Sequence, residues 1–175
     1  MNQELFLIDS NSLITPYRTY YPFDLAPGFW NQVGNHIELG SIILLDVVKS
    51  ELNKGDDDLT EWLSSLTIRQ LVDHREPKIL EKYGEILQNI QDDLRYKPAA
   101  LNEWARESIA DAWLIAAAAA YNFTIITFEV HNNGLSVKNP SKKAQIPDIA
   151  DVFGVRTQNL YYMMRTLGIS LSNEL

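Results

Sequence analysis

Four carboxylates occupy positions in the sequence from which they could lie together at one edge of a sheet. Asp9 ends the apolar run "LFLID", and Glu129 ends "TIITFE". Glu51 and Asp111 lie in the helix-like segments "DVVKSEL" and "ADAWLIAAA". Two carboxylates about 5 Å apart repel by roughly 3 kcal/mol at an effective dielectric constant near 20, so a group of four needs protons or a cation. Mg²⁺ or Mn²⁺ prefers such oxygen ligands and would activate water against a phosphodiester.

Each of these carboxylates also has a simpler interpretation. Asp9 could form an Asx-turn after a strand, and Glu51 could be a solvated residue on a short helix. Asp111 lies three residues after Ser108, a spacing that is typical of a helix-capping arrangement. Glu129 could be an ordinary loop carboxylate. The repeated pattern of an apolar strand followed by an acid is what favours a common site.

The elements that would position these residues alternate between strands and helices. "LFLID", "SIILLD" and "TIITFE" predict buried strands because they are continuously apolar. Helices are predicted over residues 27–38, 47–55, 56–66, 77–94, 108–123, 146–155 and 157–168. Buried strands separated by helices indicate a parallel sheet covered on both faces, with ligands at the carboxyl ends of its strands. We therefore predict an α/β fold in a single domain spanning residues 1–175.

Local signals refine the helix ends and one connection. Asp46 is predicted to cap the helix over 47–55, and Gly55 to close it. Asp57 or Asp58 is predicted to cap the next helix. The aromatic and proline-rich stretch over residues 15–30 is predicted to be a structured loop that leads into a helix.

The composition excludes several classes of protein. The chain has no cysteine, so disulfides and thiolate metal sites are ruled out, and His36, His74 and His131 show no metal-ligand spacing. Its start lacks the features of a signal peptide, and "AWLIAAAAAY" is too short to span a bilayer. These features predict a cytoplasmic protein without membrane association.

The charge distribution bears on nucleic-acid binding. The net charge of −8 argues against a general nucleic-acid coat, but residues 129–175 carry five basic and four acidic residues. Lys138, Lys142 and Lys143 cluster in "VKNPSKKAQ", and Arg18 lies among tyrosines that could stack on unpaired bases. These four residues are the candidate RNA contacts. A solvated polar loop and packing within the loop are the simpler interpretations.

The chain resembles the PIN-domain superfamily of metal-dependent nucleases. Four motifs match in order: "LFLIDSNSLI", "DVVKSEL", "ADAWLIAAA" and "IITFE". The stretches "YYPFDLAPGFW", "NKGDDDLTEWL" and "KKAQIPDIADVFGV" are similar to a bacterial and archaeal PIN-like branch of unknown function, so the resemblance covers nearly the whole chain.

This resemblance implies a three-layer, Rossmann-like parallel sheet and an Mg²⁺- or Mn²⁺-dependent endoribonuclease. Many bacterial PIN proteins are toxins that an antitoxin partner holds inactive, and they often form homodimers. Carried over by motif, the metal ligands are Asp9, Glu51 and Asp111, with Glu129 as a fourth ligand. Glu129 departs from the usual aspartate, and its longer side chain could act through water. Ser10, Asn11 and Thr127 match the residues that support the site.

Two other functions compete with the ribonuclease hypothesis. One is a catalytically weak PIN-like scaffold that acts by binding a protein partner, and the Glu129 departure and the acidic body favour it. The other is a phosphatase with Asp9 as its nucleophile. That chemistry usually needs an acid two residues later, and Asn11 cannot protonate a leaving group.

Overall fold

The computed structural model describes residues 3–171, and its core is a five-stranded, all-parallel sheet. The strand order is β3-β2-β1-β4-β5. The strands are β1 Phe6–Ile8, β2 Ile42–Leu45, β3 Leu71–Val72, β4 Thr124–Ile126 and β5 Arg156–Gln158. Helices pack against this sheet, so the predicted α/β class is confirmed.

The three central strands form because their sequences are apolar on both faces. Every residue of β1, β2 and β4 is buried. Phe6 of β1 pairs with Ile42 of β2 on one side and with Thr124 of β4 on the other. These strands lie within the three predicted runs. The two edge strands were not predicted because β3 has only two residues and β5 reads "RTQ", with both end residues exposed.

Most of the predicted helices are present. The helices are α1 Asn11–Thr15, α2 Pro27–Leu39, α3 Asp46–Leu52, α4 Asp58–Ser65, α5 Pro77–Asp92, α6 Pro98–Trp104, α7 Ala110–Tyr121, α8 Ile146–Val152 and α9 Leu160–Leu167. The alanine-rich α7 is buried over most of its length and packs on α5. None of the helices in residues 3–171 combines the length and apolarity needed to cross a membrane.

Four local predictions were wrong or incomplete. The helix predicted over 157–168 begins only at Leu160, because residues 156–158 form the edge strand β5 instead. The aromatic stretch predicted as a loop contains the end of α1 and a π-helical turn, Pro16–Tyr20. Helix α6 was not predicted. Asp46 is the first residue of α3 rather than its cap, and α3 ends at Leu52 rather than at Gly55. Asp57 does cap α4, because its side chain accepts a hydrogen bond from the Thr60 amide.

Because all five strands are parallel, their carboxyl ends lie along one edge of the sheet, which we call the carboxyl edge. The chain runs from β1 outward to β3 and then crosses back to β4, so the topology switches direction between β1 and β4. Ligands of open parallel sheets bind at such switch points. Asp9 directly follows β1, and Thr127 directly follows β4.

Candidate active site

Asp9 lies buried at the carboxyl edge, with 3% of its surface exposed. The Thr127 hydroxyl donates a hydrogen bond to Asp9 Oδ2 at 3.1 Å, and Ser10 Oγ lies 3.5 Å from Oδ1. An Asx-turn would instead use the backbone N–H of Asn11. Burial raises the pKa of Asp9 to about 6, because a carboxylate loses solvation inside the protein.

Thr127 also connects Asp9 to the loop that leaves β4. Its hydroxyl oxygen accepts a hydrogen bond from the Glu129 backbone N–H at 3.1 Å. On the neighbouring side, the Asp9 N–H and the Ser12 hydroxyl both donate to the carbonyl oxygen of Ile126. The ends of β1 and β4 are therefore fixed to each other by side chains as well as by the sheet.

Asp111 lies in the first turn of α7, facing the same region. Ile109 occupies the N-cap position and no side chain caps the helix, so the capping arrangement with Ser108 does not form. The pKa of Asp111 rises to about 7, chiefly through burial and further through the charges of Glu129, Asp9 and Glu51. The four predicted carboxylates are thus close enough for their charges to interact.

Glu51 and Glu129 complete this group of four from α3 and the loop after β4. Glu51 is half-buried, and its charge also raises the pKa of Asp9. Glu129 Oε2 accepts a hydrogen bond of 2.6 Å from the Ile146 N–H at the start of α8. Burial raises the pKa of Glu129 as well. One oxygen of Glu129 is therefore engaged by the protein.

The chemistry of this donor set fits a hard divalent cation. Within residues 3–171, no lysine or arginine forms a salt bridge with any of the four carboxylates. No three of them, in that same span, bring ligand atoms within 4.8 Å of one another. A cation among the oxygens would offset the mutual repulsion of these carboxylates.

Two further acids that were not predicted as part of the site lie beside the group. The charge of Glu103 on α6 raises the pKa of both Asp111 and Glu129. Asp148, in the first turn of α8, raises the pKa of Glu129 and accepts hydrogen bonds from the Asn132 N–H. Glu103 follows no strand, so the strand-then-acid pattern could not reveal it.

Comparison with known proteins places the chain in a family. The domain of unknown function DUF4411 matches residues 6–171. The chain belongs to this family. No curated protein sequence matches this DUF4411 chain significantly. Among solved structures, the chain is similar to VapBC2 from Rickettsia felis bound to a DNA fragment from their promoter. That match has a TM-score of 0.52 and 14% sequence identity, and it covers 89% of this chain and 98% of the other, so it concerns the fold.

The other predicted residues of the DUF4411 chain take different positions. Asn11 is exposed at the start of α1. Arg18 lies in a separate groove that Asp57 and Asp58 also line. Lys138 and Lys142 are exposed, and the charge of Lys143 lowers the pKa of Glu129 against the raising effect of burial. Of the four predicted RNA contacts, Lys143 is the one whose charge acts on the acidic group.

A second polar group at the carboxyl edge also escaped the sequence analysis. Asp46, Asp73 and His74 follow β2 and β3, and their ligand atoms lie within 4.8 Å of one another. The ring nitrogen Nδ1 of His74 lies 2.7 Å from Asp46 Oδ2. The other carboxylate oxygen of Asp46 accepts a hydrogen bond from the backbone N–H of His74. Asp73 accepts the Arg75 N–H. These hydrogen bonds tie the loops after β2 and β3 together.

Proposed function

We propose that this chain is a metal-dependent endoribonuclease that hydrolyses RNA phosphodiester bonds, and that it is the toxin of a toxin–antitoxin pair. The observation that carries the proposal is the convergence of Asp9, Glu51, Asp111 and Glu129 at the switch point of the parallel sheet. The motif resemblance to PIN-domain nucleases and the similarity of fold to VapBC2 support it.

The chain's own residues have distinct roles in this proposal. Asp9, Glu51 and Asp111 would hold Mg²⁺ or Mn²⁺, and Glu129 would contribute through the oxygen that the Ile146 N–H does not occupy or through a water molecule. The bound ion supplies the activation of water and the stabilisation of the leaving oxygen. Thr127 orients Asp9 by donating to Oδ2, and Ser10 lies against Oδ1. Asn11 steadies the loop at the start of α1.

The proposed partners follow from the fold neighbour and from the charges at the rim of the site. VapBC2 was solved on a DNA fragment from their promoter. By analogy we propose a partner antitoxin for this chain, self-association as a homodimer, and activity in the cytoplasm. Lys143 lies beside the acidic group, and Lys138 and Lys142 lie on the same exposed loop, where they would contact RNA phosphates. We assign Arg18 a more distant RNA contact.

Cleavage of a labelled single-stranded RNA tests this function directly. The purified chain should cleave with Mn²⁺ or Mg²⁺ and not with EDTA. Asp9→Asn should lower the rate by more than about 100-fold, since even the residues behind a metal ligand typically matter by 10- to 100-fold. Glu61→Gln, which alters an exposed acid on α4 outside the groove of Arg18, is the matched control. Cleavage that survives Asp9→Asn or EDTA would contradict the proposal.

Metal binding has a second readout that needs no substrate. A ligand present at 100 times its Kd stabilises the folded state by about 2.7 kcal/mol. Millimolar Mn²⁺ should therefore raise the melting temperature of the wild type, and much less that of Asp9→Asn. A melting temperature that responds to metal in a chain that cleaves nothing would favour the scaffold function.

A further inference from the structure

A groove of about 580 Å³ opens beside the acidic group, and no proposed step uses it. Polar and charged residues from several elements line it: Ser50, His74, Arg75, Arg106 and Ser108, with the acids Asp46 and Glu107. The hydroxyl and guanidinium groups of its walls donate hydrogen bonds, and the walls also contain two carboxylates and the apolar Val47.

The groove and the acidic group share two helices. On α3, Ser50 immediately precedes Glu51. At the start of α7, Ser108 lies three residues before Asp111. Helices α3 and α7 contact each other, so the groove and the acidic group lie on the same pair of packed helices.

The carboxylates of the groove are already occupied by partners. Asp46 binds the His74 ring and its backbone N–H. Glu107 Oε1 lies 3.2 Å from Arg75 and 3.3 Å from His74 Nε2. His74 itself has only 6% of its surface exposed, so it forms a fixed wall.

Positive charge in the groove remains available. Arg106 is exposed and forms no salt bridge with any residue between 3 and 171. The twelve-residue α7 begins at the groove without a side-chain cap. The backbone N–H groups and dipole of such a helix start favour an anion.

We propose that this groove binds a phosphate of single-stranded RNA next to the bond that is cleaved, with Arg106 as its principal charge. The inference rests on the proposed function, because it names how the substrate of that site is held. Arg106 and the α7 N-terminus contact the phosphate, and Ser50 and Ser108 offer hydroxyl donors.

Binding of a fluorescein-labelled RNA in EDTA, followed by anisotropy, tests the groove without requiring cleavage. Arg106→Ala should weaken binding by about 3- to 10-fold at low salt and reduce the salt slope of log K by about 0.7, the value for one phosphate on a single strand. Arg69→Ala is the matched control. Arg69 is also exposed, but it precedes β3 and so lies at the amino ends of the strands, away from the carboxyl edge. Its removal should change the RNA affinity less than twofold.

A second substitution, at Glu107, should change the RNA affinity in the opposite direction. Glu107→Gln keeps the shape of the side chain but removes a negative charge from the groove and frees Arg75. RNA should then bind about two- to threefold more tightly. A purely structural role for Glu107 would leave the affinity unchanged or lower it.

Three results would overturn the groove: no RNA binding by the wild type, equal affinities for Arg106→Ala and Arg69→Ala, or a loss in Arg106→Ala that persists undiminished at high salt. Cleavage by the same preparations separates this proposal from the nuclease. If the wild type cleaves RNA and Arg106→Ala does not weaken RNA binding, only the proposal for the groove is rejected. If Arg106→Ala weakens RNA binding but the wild type does not cleave RNA with any metal, only the nuclease proposal is rejected.

Discussion

Replacing Asp111 with asparagine should stabilise the folded chain in metal-free buffer at pH 8. Burial and the neighbouring carboxylates raise the pKa of Asp111 from 3.8 to about 7, so the folded state disfavours the ionised side chain. Asparagine has nearly the same shape and carries no charge. The variant therefore removes the repulsion and keeps the packing.

The magnitude follows from the shift in pKa. A rise of about 3 units at about 1.4 kcal/mol per unit costs the folded state roughly 4 kcal/mol once the carboxyl is ionised. The variant loses a favourable charge at the start of α7, worth about 0.3–1 kcal/mol, and buries an amide. We expect a net gain in unfolding free energy of about 1–3 kcal/mol, or roughly 2–12 °C in melting temperature.

The pH dependence has a definite sign. An acid whose pKa is higher in the folded state binds more protons there between about pH 4 and pH 7, so the stability of the wild type falls across that range. The advantage of Asp111→Asn should be absent near pH 4, grow up to about pH 7 and stay constant above it. Urea unfolding of both chelator-treated proteins from pH 5 to pH 8 measures this difference in unfolding free energy between the variant and the wild type.

Asp58→Asn is the control substitution, because it removes an acid that lies outside the group of four carboxylates. Asp58 is an exposed acid in the first turn of α4, so its loss should destabilise by about 0.3–1 kcal/mol. If Asp111→Asn is also destabilising at pH 8, or if its gain does not change with pH, the reasoning about crowded carboxylates is refuted. Excess Mn²⁺ should stabilise the wild type and remove the variant's advantage.

Three other substitutions probe the surroundings of the site. Thr127→Val should destabilise by about 1–3 kcal/mol in urea unfolding, because Glu129 N–H loses its acceptor, and should raise the pKa of Asp9 further, which moves the acidic limb of the cleavage profile to higher pH. Glu129→Ala should cost about 1 kcal/mol more than Glu129→Gln, since only the amide can still accept from the Ile146 N–H; equal melting temperatures would count against that contact. Asn122→Gly should stabilise by about 0.5–1 kcal/mol in thermal unfolding, because Asn122 ends α7 at a φ of 57°; a loss of stability would contradict the strain.

The sheet was predictable where burial leaves a strong pattern. β1, β2 and β4 are apolar at nearly every position, and the alanine-rich α7 could only be a buried helix. The edge strand β3 has two residues, and β5 is polar, because an edge strand is covered on fewer sides. Hydrophobic periodicity therefore contains no signal for either strand.

The candidate site was predictable only in part, for a related reason. Asp9 follows a readable strand, so its position at the carboxyl edge could be inferred. Asp73 follows β3, which the sequence did not reveal, so the group it forms with Asp46 and His74 was missed. Glu103 approaches Asp111 through the packing of α6, and no local pattern encodes that contact.

The bond between Thr127 and Asp9 joins residues that are 118 positions apart. A ribosome makes Asp9 before Thr127, which follows only after β2, α5 and α7 have been synthesised. Any nascent fragment that ends before β4 lacks both Thr127 and Glu129, so Oδ2 of Asp9 has no hydroxyl donor from the end of β4. The acidic group is therefore completed late in translation, and a chain truncated directly before β4 carries Asp9, Glu51 and Asp111 without Glu129 and without the hydroxyl that orients Asp9.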